Sequence, residues 1–355
     1  MGSGSSFGES KGRTEAVYGL VSEDTGTRAR AFEAYRGATS KAREDIKAGR
    51  STSAPAPTRD TSSLVDPSKA RNTITRPSKN AKRAVVVLVD NSGSNRQIAA
   101  HFLQSSGHFT AFARAVDPEA EVAFIYFSDH RDHRPFQYAD FAPSTEEGDK
   151  QLFNSFYRIE GQHGGDEPEA AECALLQASE IDFGDIQAED RTLVLVTDVV
   201  AHGMGLTPDD GCPNQVSWRS AMQAVRNTYG KFVLIGSGGN PGMVPLQKKF
   251  FETSPGEFDP EEVARNFIDL SEIRTAAHRN GIVANAVLFV MARNTGKQSI
   301  QVFLASLYSK WLASPVFGDQ TDEKAKTRIR AFAELYLPGV MTREEIQSIL
   351  ADILG

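Results

Sequence analysis

A run of five apolar residues that ends in a turn of acidic and hydroxyl side chains constrains the fold of this chain most. Val85–Val89 are apolar and mostly β-branched, which is typical of a strand buried on both faces in a parallel sheet. The run stops at Asp90, and Ser92 and Ser94 follow at alternate positions. Gly93, between the serines, allows a tight turn and a close approach of the backbone to a ligand. The stretch predicts a central strand that presents one carboxylate and two hydroxyls at its carboxyl end.

Oxygen donors of this kind suit hard divalent cations such as Mg²⁺, and also Mn²⁺ and Ca²⁺. Asp90, Ser92 and Ser94 are therefore candidate ligands of one cation at the end of the strand. An ordinary polar turn that ends the strand is the alternative, because short polar motifs also arise by chance.

Later apolar runs alternate with helical patterns, and this order predicts an α/β fold. The sheet is expected to be doubly wound and mostly parallel, with right-handed crossovers and helices on both faces. The predicted strands after the first are 121–128, 135–141 (an edge strand), 192–197, 231–236 and 266–270, and the predicted helices of this region are 97–116, 170–181 and 216–229. In such sheets ligands bind beyond the carboxyl ends of the strands, where Asp90 and Asp198 are both expected.

Composition divides the chain of 355 residues into three predicted domains. Residues 1–82 are predicted to be a flexible basic arm and linker, since Gly, Ser, Thr, Pro and charged residues dominate and large apolar residues are sparse. Residues 83–270 form the predicted sheet domain, and residues 271–355 form a predicted α-helical C-terminal extension.

Turn and capping signals divide the extension into separate helices. Asn280-Gly281 and residues 294–296 (Asn-Thr-Gly) are turn signals. Thr342 and Glu345 form a capping box, which predicts a last helix with its apolar residues on one face.

Charge is distributed unevenly, with 16 Lys/Arg against 9 Asp/Glu in residues 1–83 and 23 against 37 in the remainder. A basic arm on an acidic body favours attachment to an acidic surface, which could be a partner protein, nucleic acid or the body itself. A plain solvated tail is the alternative. Against nucleic acid, residues 69–83 lack the interleaved aromatic side chains on which bases stack.

Cysteine content and hydropathy indicate the compartment. The 2 cysteines cannot build a disulfide framework, which favours a reducing environment. The N-terminal residues have no apolar core of a secretory signal, and the longest apolar run, residues 281–292, is interrupted by Asn285 and too short for a transmembrane helix. We expect a soluble cytoplasmic protein without membrane contacts.

The motif Asp90-x-Ser92-x-Ser94 at a strand end resembles the metal-ion-dependent adhesion site (MIDAS) of von Willebrand factor A (VWA) domains. The resemblance covers the predicted sheet domain, roughly half of the chain. In the second loop of the family a Thr usually follows Gly-Gly, and here Asp166 takes that place. The third motif is an Asp at the end of the next core strand, here Asp198, in a Thr-Asp-x-x-x-His pattern similar to that of some intracellular members.

This resemblance implies a Rossmann-like VWA fold with a bound divalent cation, Mg²⁺ or else Mn²⁺ or Ca²⁺. The implied metal ligands are Asp90, Ser92, Ser94, Asp166 and Asp198. Asp166 departs from the family pattern and leaves two roles open. As a ligand it would add a third carboxylate, which tightens cation binding but weakens the attraction of a partner's carboxylate. As a cap it would stabilise the positive end of the following helix.

Signatures of catalysis are weak. A rival hypothesis of a zinc enzyme draws on histidines and acidic residues near the predicted strand ends: His130, His133, His163, His202, Asp129 and Asp132. No His-Glu-x-x-His motif and no spacing of a structural zinc site supports it, and residues 128–134 are equally typical of a solvated charged loop. Residues 236–240 are rich in glycine but lack the Lys-Ser/Thr of a P-loop, and Cys173 is expected to be a buried core residue. We expect no enzymatic activity.

The function implied by the resemblance is that of a non-catalytic module that binds proteins through a divalent cation. Similar intracellular domains serve as adaptors of AAA+ ATPases and as subunits of bacterial or phage complexes, so an AAA+ ATPase or assembly subunits are the expected partners. Two alternatives stay open. One is a structural or assembly component with a vestigial metal site, whose arm threads onto neighbouring subunits of an oligomer. The other is a nucleic-acid-associated scaffold that binds through the basic arm.

Overall fold

The structure is a computed structural model, and it describes residues 74–95, 113, 116–143, 145–156, 158–160, 168–204, 211–237, 243, 245, 247, 266–269, 276–313, 322–338 and 340–354. The chain divides into two compact units. The sheet unit comprises residues 61–110 and 119–287, and the helical unit includes residues 111–118 and 288–355. The predicted basic arm lies outside the described residues up to residue 73, and the predicted domain boundaries stay predictions.

Six strands form one sheet. They are β1 (Arg83–Asp90), β2 (Ala120–Phe127), β3 (Phe136–Ala142), β4 (Arg191–Thr197), β5 (Lys231–Gly236) and β6 (Phe267–Asp269). Their order is β3-β2-β1-β4-β5-β6, and every neighbouring pair is parallel except β2 and β3. The strand order reverses at β1, so the carboxyl ends of β1 and β4 flank the position where such sheets bind ligands. The predicted α/β fold with a doubly wound, mostly parallel sheet is confirmed.

β1 lies in the middle of the sheet because its side chains are apolar on both faces. Val86–Val89 are fully buried. Val87 pairs with Phe124 of β2 on one side and with Val194 of β4 on the other. Burial of such side chains contributes roughly 1.5–3 kcal/mol each, which stabilises the strand in this central position.

The sheet unit contains the helices α1 (Glu146–Phe156), α2 (Ala171–Ser179) and α3 (Trp218–Thr228). The last two coincide with predicted helices and pack against each other. The Tyr229 hydroxyl, just after α3, donates a hydrogen bond of 2.7 Å to the carbonyl oxygen of Ala178 in α2. The predicted helix 97–116 lies outside the described residues except for Ala113 and Val116, which are helical.

α1 has no counterpart among the predicted elements, because its sequence is mostly polar and contains Gly148. The Gly148 N–H donates to Thr145 Oγ1 at 3.1 Å, so Thr145 caps the first turn. A Cβ atom at Gly148 would lie 1.9 Å from the carbonyl oxygen of Pro143, and only glycine fits this close approach. At the other end Phe156 is fully buried, so tertiary packing stabilises a helix with weak local signals.

The described residues of the C-terminal part form the helices α4 (Ala276–Thr295), α5 (Lys297–Ala313), α6 (Asp322–Tyr336) and α7 (Arg343–Leu354). α4 belongs to the sheet unit up to residue 287 and to the helical unit from residue 288. The predicted turn at 294–296 is confirmed, since Gly296 joins α4 and α5 with a φ of 123°. The predicted turn at Asn280-Gly281 is wrong, because α4 runs through it. A glycine inside a helix costs only about 1 kcal/mol, which packing of the buried apolar residues that follow in α4 offsets.

The predicted capping box at the start of α7 is confirmed. The Glu345 N–H donates to Thr342 Oγ1 at 3.2 Å, and the Thr342 N–H donates to the Glu345 carboxylate at 3.0 Å. The apolar face of α7 is buried, with Ile346, Ile349, Leu350 and Ile353 among its buried residues. Among the described residues, no helix combines the length and the apolar content that a membrane span requires.

Candidate metal centre

β1 ends in a carboxylate that is completely buried, that of Asp90. Its Oδ1 accepts a hydrogen bond of 2.9 Å from the Ser92 N–H, and its Oδ2 accepts one of 2.9 Å from the Thr197 hydroxyl. Thr197 is the last residue of β4, so this contact joins the ends of the two central strands. Each carboxylate oxygen keeps a further lone pair that can bind a cation.

The hydroxyls and the second carboxylate predicted from sequence lie at the same edge of the sheet. Ser92 Oγ is 3.4 Å from Ser94 Oγ, and the Ser94 hydroxyl donates to Asp198 Oδ1 at 3.2 Å. Ser92 is buried, Asp198 half-buried and Ser94 exposed, so the donors extend from the interior to the surface. The structure thus brings together Asp90, Ser92, Ser94 and Asp198. The fifth predicted ligand, Asp166, lies outside the described residues.

Asp90 and Asp198 interact electrostatically. Burial, and to a lesser extent the charge of Asp198, raises the pKa of Asp90 from 3.8 to about 7, although the hydrogen bonds from Ser92 and Thr197 oppose this shift. Burial and the charge of Asp198 both disfavour an ionised Asp90, which a proton or a cation can stabilise. At neutral pH a divalent cation would therefore stabilise the arrangement.

A third carboxylate, which the sequence did not single out, faces the same region. Glu169 is 3% exposed, and its Oε2 has no hydrogen-bond partner among the described residues. Burial, followed by the charges of Asp90 and Asp129, raises the pKa of Glu169 to about 10 despite a hydrogen bond with Ser92. Glu169 stands three residues after Asp166, in the segment that the resemblance to VWA domains matches to their second loop. Its position just after Gly-Gly-Asp-Glu-Pro was the only signal that could have identified it.

Backbone hydrogen bonds hold Glu169 between two strand ends. Its N–H donates to the Val200 carbonyl oxygen at 3.2 Å, in the loop after β4. The next residue, Ala170, donates its N–H to the Ser128 carbonyl oxygen at 3.2 Å, in the loop after β2. The start of α2 is therefore tied to both loops, and these bonds position the Glu169 side chain beside Asp90.

Residues at the end of β5 help to hold the carboxyl ends of β1 and β4 in place. The Ser237 hydroxyl donates to Asn95 Oδ1 at 2.9 Å, and Asn95 Nδ2 donates to the Asp90 carbonyl oxygen at 2.9 Å. A Cβ atom at Gly236 would lie 2.7 Å from Gln247 Oε1, so glycine makes room for this side chain. Gln247 in turn donates to the Thr197 carbonyl oxygen at 3.2 Å. The described part of the glycine-rich segment 236–240 thus shapes the turn that supports the carboxylates.

The donor set fits a hard divalent cation. It consists of carboxylate and hydroxyl oxygens, and one buried carboxylate oxygen, on Glu169, lacks a partner among the described residues. Within the part of the chain that the structure describes, no Lys or Arg forms a salt bridge with Asp90, Glu169 or Asp198. Salt bridges within that part of the chain therefore do not neutralise the three carboxylates. Asp90, Ser92, Ser94 and Asp198, together with Glu169, are the residues that would hold Mg²⁺.

A second cluster of polar donors lies near the same strand ends. It contains His130 from the loop after β2, Glu172 and Cys173 from the first turn of α2, and Cys212 from the segment before α3. One ligand atom from each of the four residues lies within 4.8 Å of the others. Burial raises the pKa of the Cys173 thiol and of the Cys212 thiol, so both are poor nucleophiles as free thiols. Cys173 is buried, as predicted.

Among the histidines of the rival zinc hypothesis, His130 alone belongs to this cluster. His133 is exposed, and His163 lies outside the described residues. The ring of His202 lies 5.1 Å from that of His130, centroid to centroid, and the backbone N–H of His202 donates to Glu172 Oε2 at 3.1 Å. The donors beside His130 are therefore a glutamate and two cysteines, a set that the spacing of residues along the sequence does not reveal.

The sequence matches no family model and no curated protein. The structure is similar to that of the pilus adhesin SpaC from Lactobacillus rhamnosus GG, with 12% identity over 62% of this chain and 32% of that one and a TM-score of 0.42. Proximal thread matrix protein 1 from the mussel byssus is 14% identical over 60% of this chain and 49% of that one, with a TM-score of 0.39. A von Willebrand factor type A protein from Catenulispora acidiphila is 12% identical over 61% of this chain and 43% of that one, with a TM-score of 0.37.

This chain thus spans between a third and a half of the length of these three structures. Because the similarity is low, the assignment of an α/β fold rests on the strand order and register of the sheet itself. That order agrees with the VWA-like fold that the Asp-x-Ser-x-Ser motif implies.

Proposed function

We propose that this chain is a cytoplasmic protein-interaction module of the VWA type, without catalytic activity, whose contacts depend on a divalent cation. The cation would be Mg²⁺, held by Asp90, Ser92, Ser94 and Asp198 at the carboxyl edge of the sheet. The partners would be subunits of a larger assembly or an AAA+ ATPase.

The observation that carries this proposal is the gradient of exposure across the donors. Asp90 is fully buried, Asp198 is half-buried and Ser94 is exposed, so a cation held between them would have one side toward solvent. A partner could then contribute the last oxygen ligand from outside.

Glu169 affects which partner the site would accept. Its buried carboxylate lies close to Asp90 and competes with an external carboxylate for the cation. With Asp90, Asp198 and Glu169 ionised, the carboxylates exceed the charge of Mg²⁺, so the attraction of an acidic partner is weakened. We propose that the cation mainly fixes the conformation of the loops after β1, β2 and β4, and that the partner binds the surface so formed.

Binding of Mg²⁺ to the purified full chain tests the first part of this proposal. Calorimetry should show Mg²⁺ binding and thermal unfolding should shift to higher temperature with Mg²⁺ than with EDTA, since a ligand that binds only the folded state stabilises it. Asp90→Asn should abolish both effects, and His133→Ala, on an exposed residue of a neighbouring loop, should preserve them. If wild-type protein shows no Mg²⁺ effect, that result contradicts a cation-dependent module and favours a vestigial site.

Recovery of partners from native extracts tests the second part. Wild-type protein with Mg²⁺ should retain partners that Asp90→Asn loses, and Glu169→Gln should retain acidic partners more strongly. Equal recovery by wild type and Asp90→Asn would contradict a role of the cation in binding.

A further inference from the structure

Four side chains from three separate segments present metal-binding atoms to one point. His130 Nε2 lies 2.8 Å from Glu172 Oε1 and 3.5 Å from Cys212 Sγ. Cys212 Sγ lies 3.6 Å from Cys173 Sγ. The side chain of Glu172 is fully buried, that of His130 is 7% exposed and Cys173 is buried, whereas Cys212 is half-buried, so the cluster lies mostly below the surface.

Two of these distances agree with those between the ligands of a tetrahedral zinc ion. Zinc binds sulfur at about 2.3 Å and nitrogen or oxygen at about 2.0–2.1 Å, which separates two sulfurs by about 3.8 Å and a sulfur from a nitrogen by about 3.6 Å. The observed separations are 3.6 Å and 3.5 Å. The nitrogen and the oxygen, observed 2.8 Å apart, would have to separate to about 3.3 Å. A small shift of one carboxylate would suffice.

We propose that His130 Nε2, a Glu172 carboxylate oxygen, Cys173 Sγ and Cys212 Sγ bind one Zn²⁺ ion. Binding replaces the two S–H protons with metal–sulfur bonds and releases these protons to solvent. With four protein ligands the site is closed, so its role is structural rather than catalytic.

The chemistry of the donors separates this site from the candidate Mg²⁺ site. Thiolate and imidazole ligands select zinc and other soft or borderline transition metals, whereas Mg²⁺ prefers oxygen. A disulfide between Cys173 and Cys212 is the competing use of the two thiols. It would need the sulfurs to approach from 3.6 Å to about 2.05 Å, and it would leave the buried pair of His130 and Glu172 without a function.

Neighbouring groups support the proposed ligands from outside. Glu172 Oε2 accepts a hydrogen bond from the backbone N–H of His202, which holds the carboxylate in its orientation. Asn214 Nδ2 donates to Cys173 Sγ at 3.6 Å, a contact that stabilises a thiolate. Cys212 begins a tight turn in which the Gln215 N–H donates to the Cys212 carbonyl oxygen at 2.9 Å and Gln215 has a φ of 58°. The left-handed conformation at Gln215 is strained for a residue with a side chain, and a metal bond to Cys212 would compensate for it.

The proposed ion would tie together the loop after β2, the start of α2 and the segment before α3. The same loop after β2 and the same start of α2 hold Glu169 beside Asp90. Zinc would therefore stabilise the support of the oxygen site without taking any of its ligands. The two proposals stand on different residues, so each can fail without the other.

Cobalt substitution of the reduced full chain tests the proposal. Co²⁺ bound by two thiolates in a tetrahedron gives intense visible d–d absorption and a sulfur-to-cobalt charge-transfer band in the near ultraviolet. We expect both with one Co²⁺ per chain, and loss of both when one equivalent of Zn²⁺ displaces the cobalt. Mg²⁺ in excess should not displace it.

Variants assign the ligands. Cys173→Ser, Cys212→Ser and His130→Ala should each lower Zn²⁺ affinity at least ten-fold in competition with a chromophoric chelator and weaken the charge-transfer band. His133→Ala is the matched control, because His133 lies on the same loop as His130 but is exposed, and it should leave both signals unchanged. Asp90→Asn should also leave them unchanged, which distinguishes this site from the proposed Mg²⁺ site.

Wild-type protein alone is sufficient to overturn the proposal, even if a variant does not fold. Folded, reduced wild-type protein that gives no charge-transfer band with Co²⁺ would contradict it. So would the finding, by mass spectrometry of protein purified from cells, of a Cys173–Cys212 disulfide in place of bound zinc.

Discussion

The two donor clusters at the carboxyl edge of the sheet differ in chemistry and in how the chain builds them. The oxygen cluster has Asp90, Ser92 and Ser94 on one short turn, joined by Asp198 from the neighbouring strand end. The cluster of His130, Glu172, Cys173 and Cys212 comes from three segments that are far apart in sequence. The first is hard and extends to the surface, whereas the second combines soft donors and is mostly buried.

The difference shows that neighbouring sites of one fold can serve separate tasks. An oxygen site with exposed donors suits exchange of cations and partners, and a closed site of thiols and imidazole suits permanent stabilisation. We expect substitution of a ligand in one cluster to leave the metal ligands of the other cluster in place.

The largest effect expected is that of Asp90→Asn in the absence of metal. Asn removes a buried charge whose pKa burial and Asp198 raise from 3.8 to about 7, so at pH 8 the variant should be more stable than wild type. The gain has an upper limit of about 4 kcal/mol, since each pKa unit corresponds to about 1.4 kcal/mol. Urea unfolding with EDTA measures it. A variant less stable than wild type at pH 8 would show that ionisation of Asp90 does not destabilise the folded protein. Loss of the cobalt–thiolate band in this variant would show that the two clusters are not independent.

The pH dependence of stability should follow from the same group. In the folded protein without metal, Asp90 keeps its proton up to about pH 7, whereas in the unfolded chain it loses the proton near pH 3.8. The folded state therefore binds more protons between these values, and its free energy of unfolding should decrease by a few kcal/mol as the pH rises from about 4 to 7. Urea titrations with EDTA at several pH values measure this. Asp90→Asn should flatten the profile and saturating Mg²⁺ should reduce the decrease, whereas parallel profiles for wild type and variant would contradict the assignment.

A smaller effect is expected from Thr197→Val, which tests how the end of β4 contributes to the oxygen cluster. The substitution removes the hydrogen bond of the Thr197 hydroxyl to Asp90 Oδ2 and that of the Val199 N–H to Thr197 Oγ1. We expect a loss of about 1–2 kcal/mol, greater at pH 8 than at pH 5 because a bond to an ionised carboxylate is stronger. Thr228→Val is the control, since the Thr228 hydroxyl donates to the neutral Ser179 carbonyl and its loss should not depend on this pH range. Equal losses at both pH values would argue against an ionised Asp90.

The smallest effect is expected from Thr342→Ala, in the helical unit. Loss of the capping box at α7 should cost about 1 kcal/mol, and thermal unfolding should show it. Thr327→Ala, which removes a hydroxyl bonded only to the Glu323 carbonyl oxygen within its own exposed turn, should have little effect. Binding of Mg²⁺ and of Co²⁺ should be unchanged in both variants. A change in either would show that the clusters respond to general destabilisation rather than to their own ligands.

The sequence predicted elements whose signals are local and contiguous. The apolar run before Asp90 predicted the central strand, Pro135 predicted an edge strand that the structure shows as β3, and Thr342 with Glu345 predicted the start of α7. It failed where packing overrides local preference. α1 forms despite Gly148, because a close approach to Pro143 requires glycine there, and α4 continues through Asn280-Gly281.

The same distinction applies to the candidate site residues: those with local signals could be predicted, and the others could not. Asp90, Ser92 and Ser94 could be predicted as one group because a single turn brings them together, and Asp198 because parallel strands end at the same edge. Glu169 was missed because nothing in a Glu-Pro-Glu sequence tells which carboxylate becomes buried. Its burial depends on hydrogen bonds from the start of α2 to the loops after β2 and β4.

By itself the sequence determined the order of the strands, the central position of β1 and the oxygen donors that follow it. These properties depend on apolar periodicity and on residues that are close in the chain, which act before the fold is complete. Only the tertiary structure decided that His130, Glu172, Cys173 and Cys212 meet. Their distances depend on how two loops and a helix pack on the sheet, which the pattern of residues along the sequence does not show.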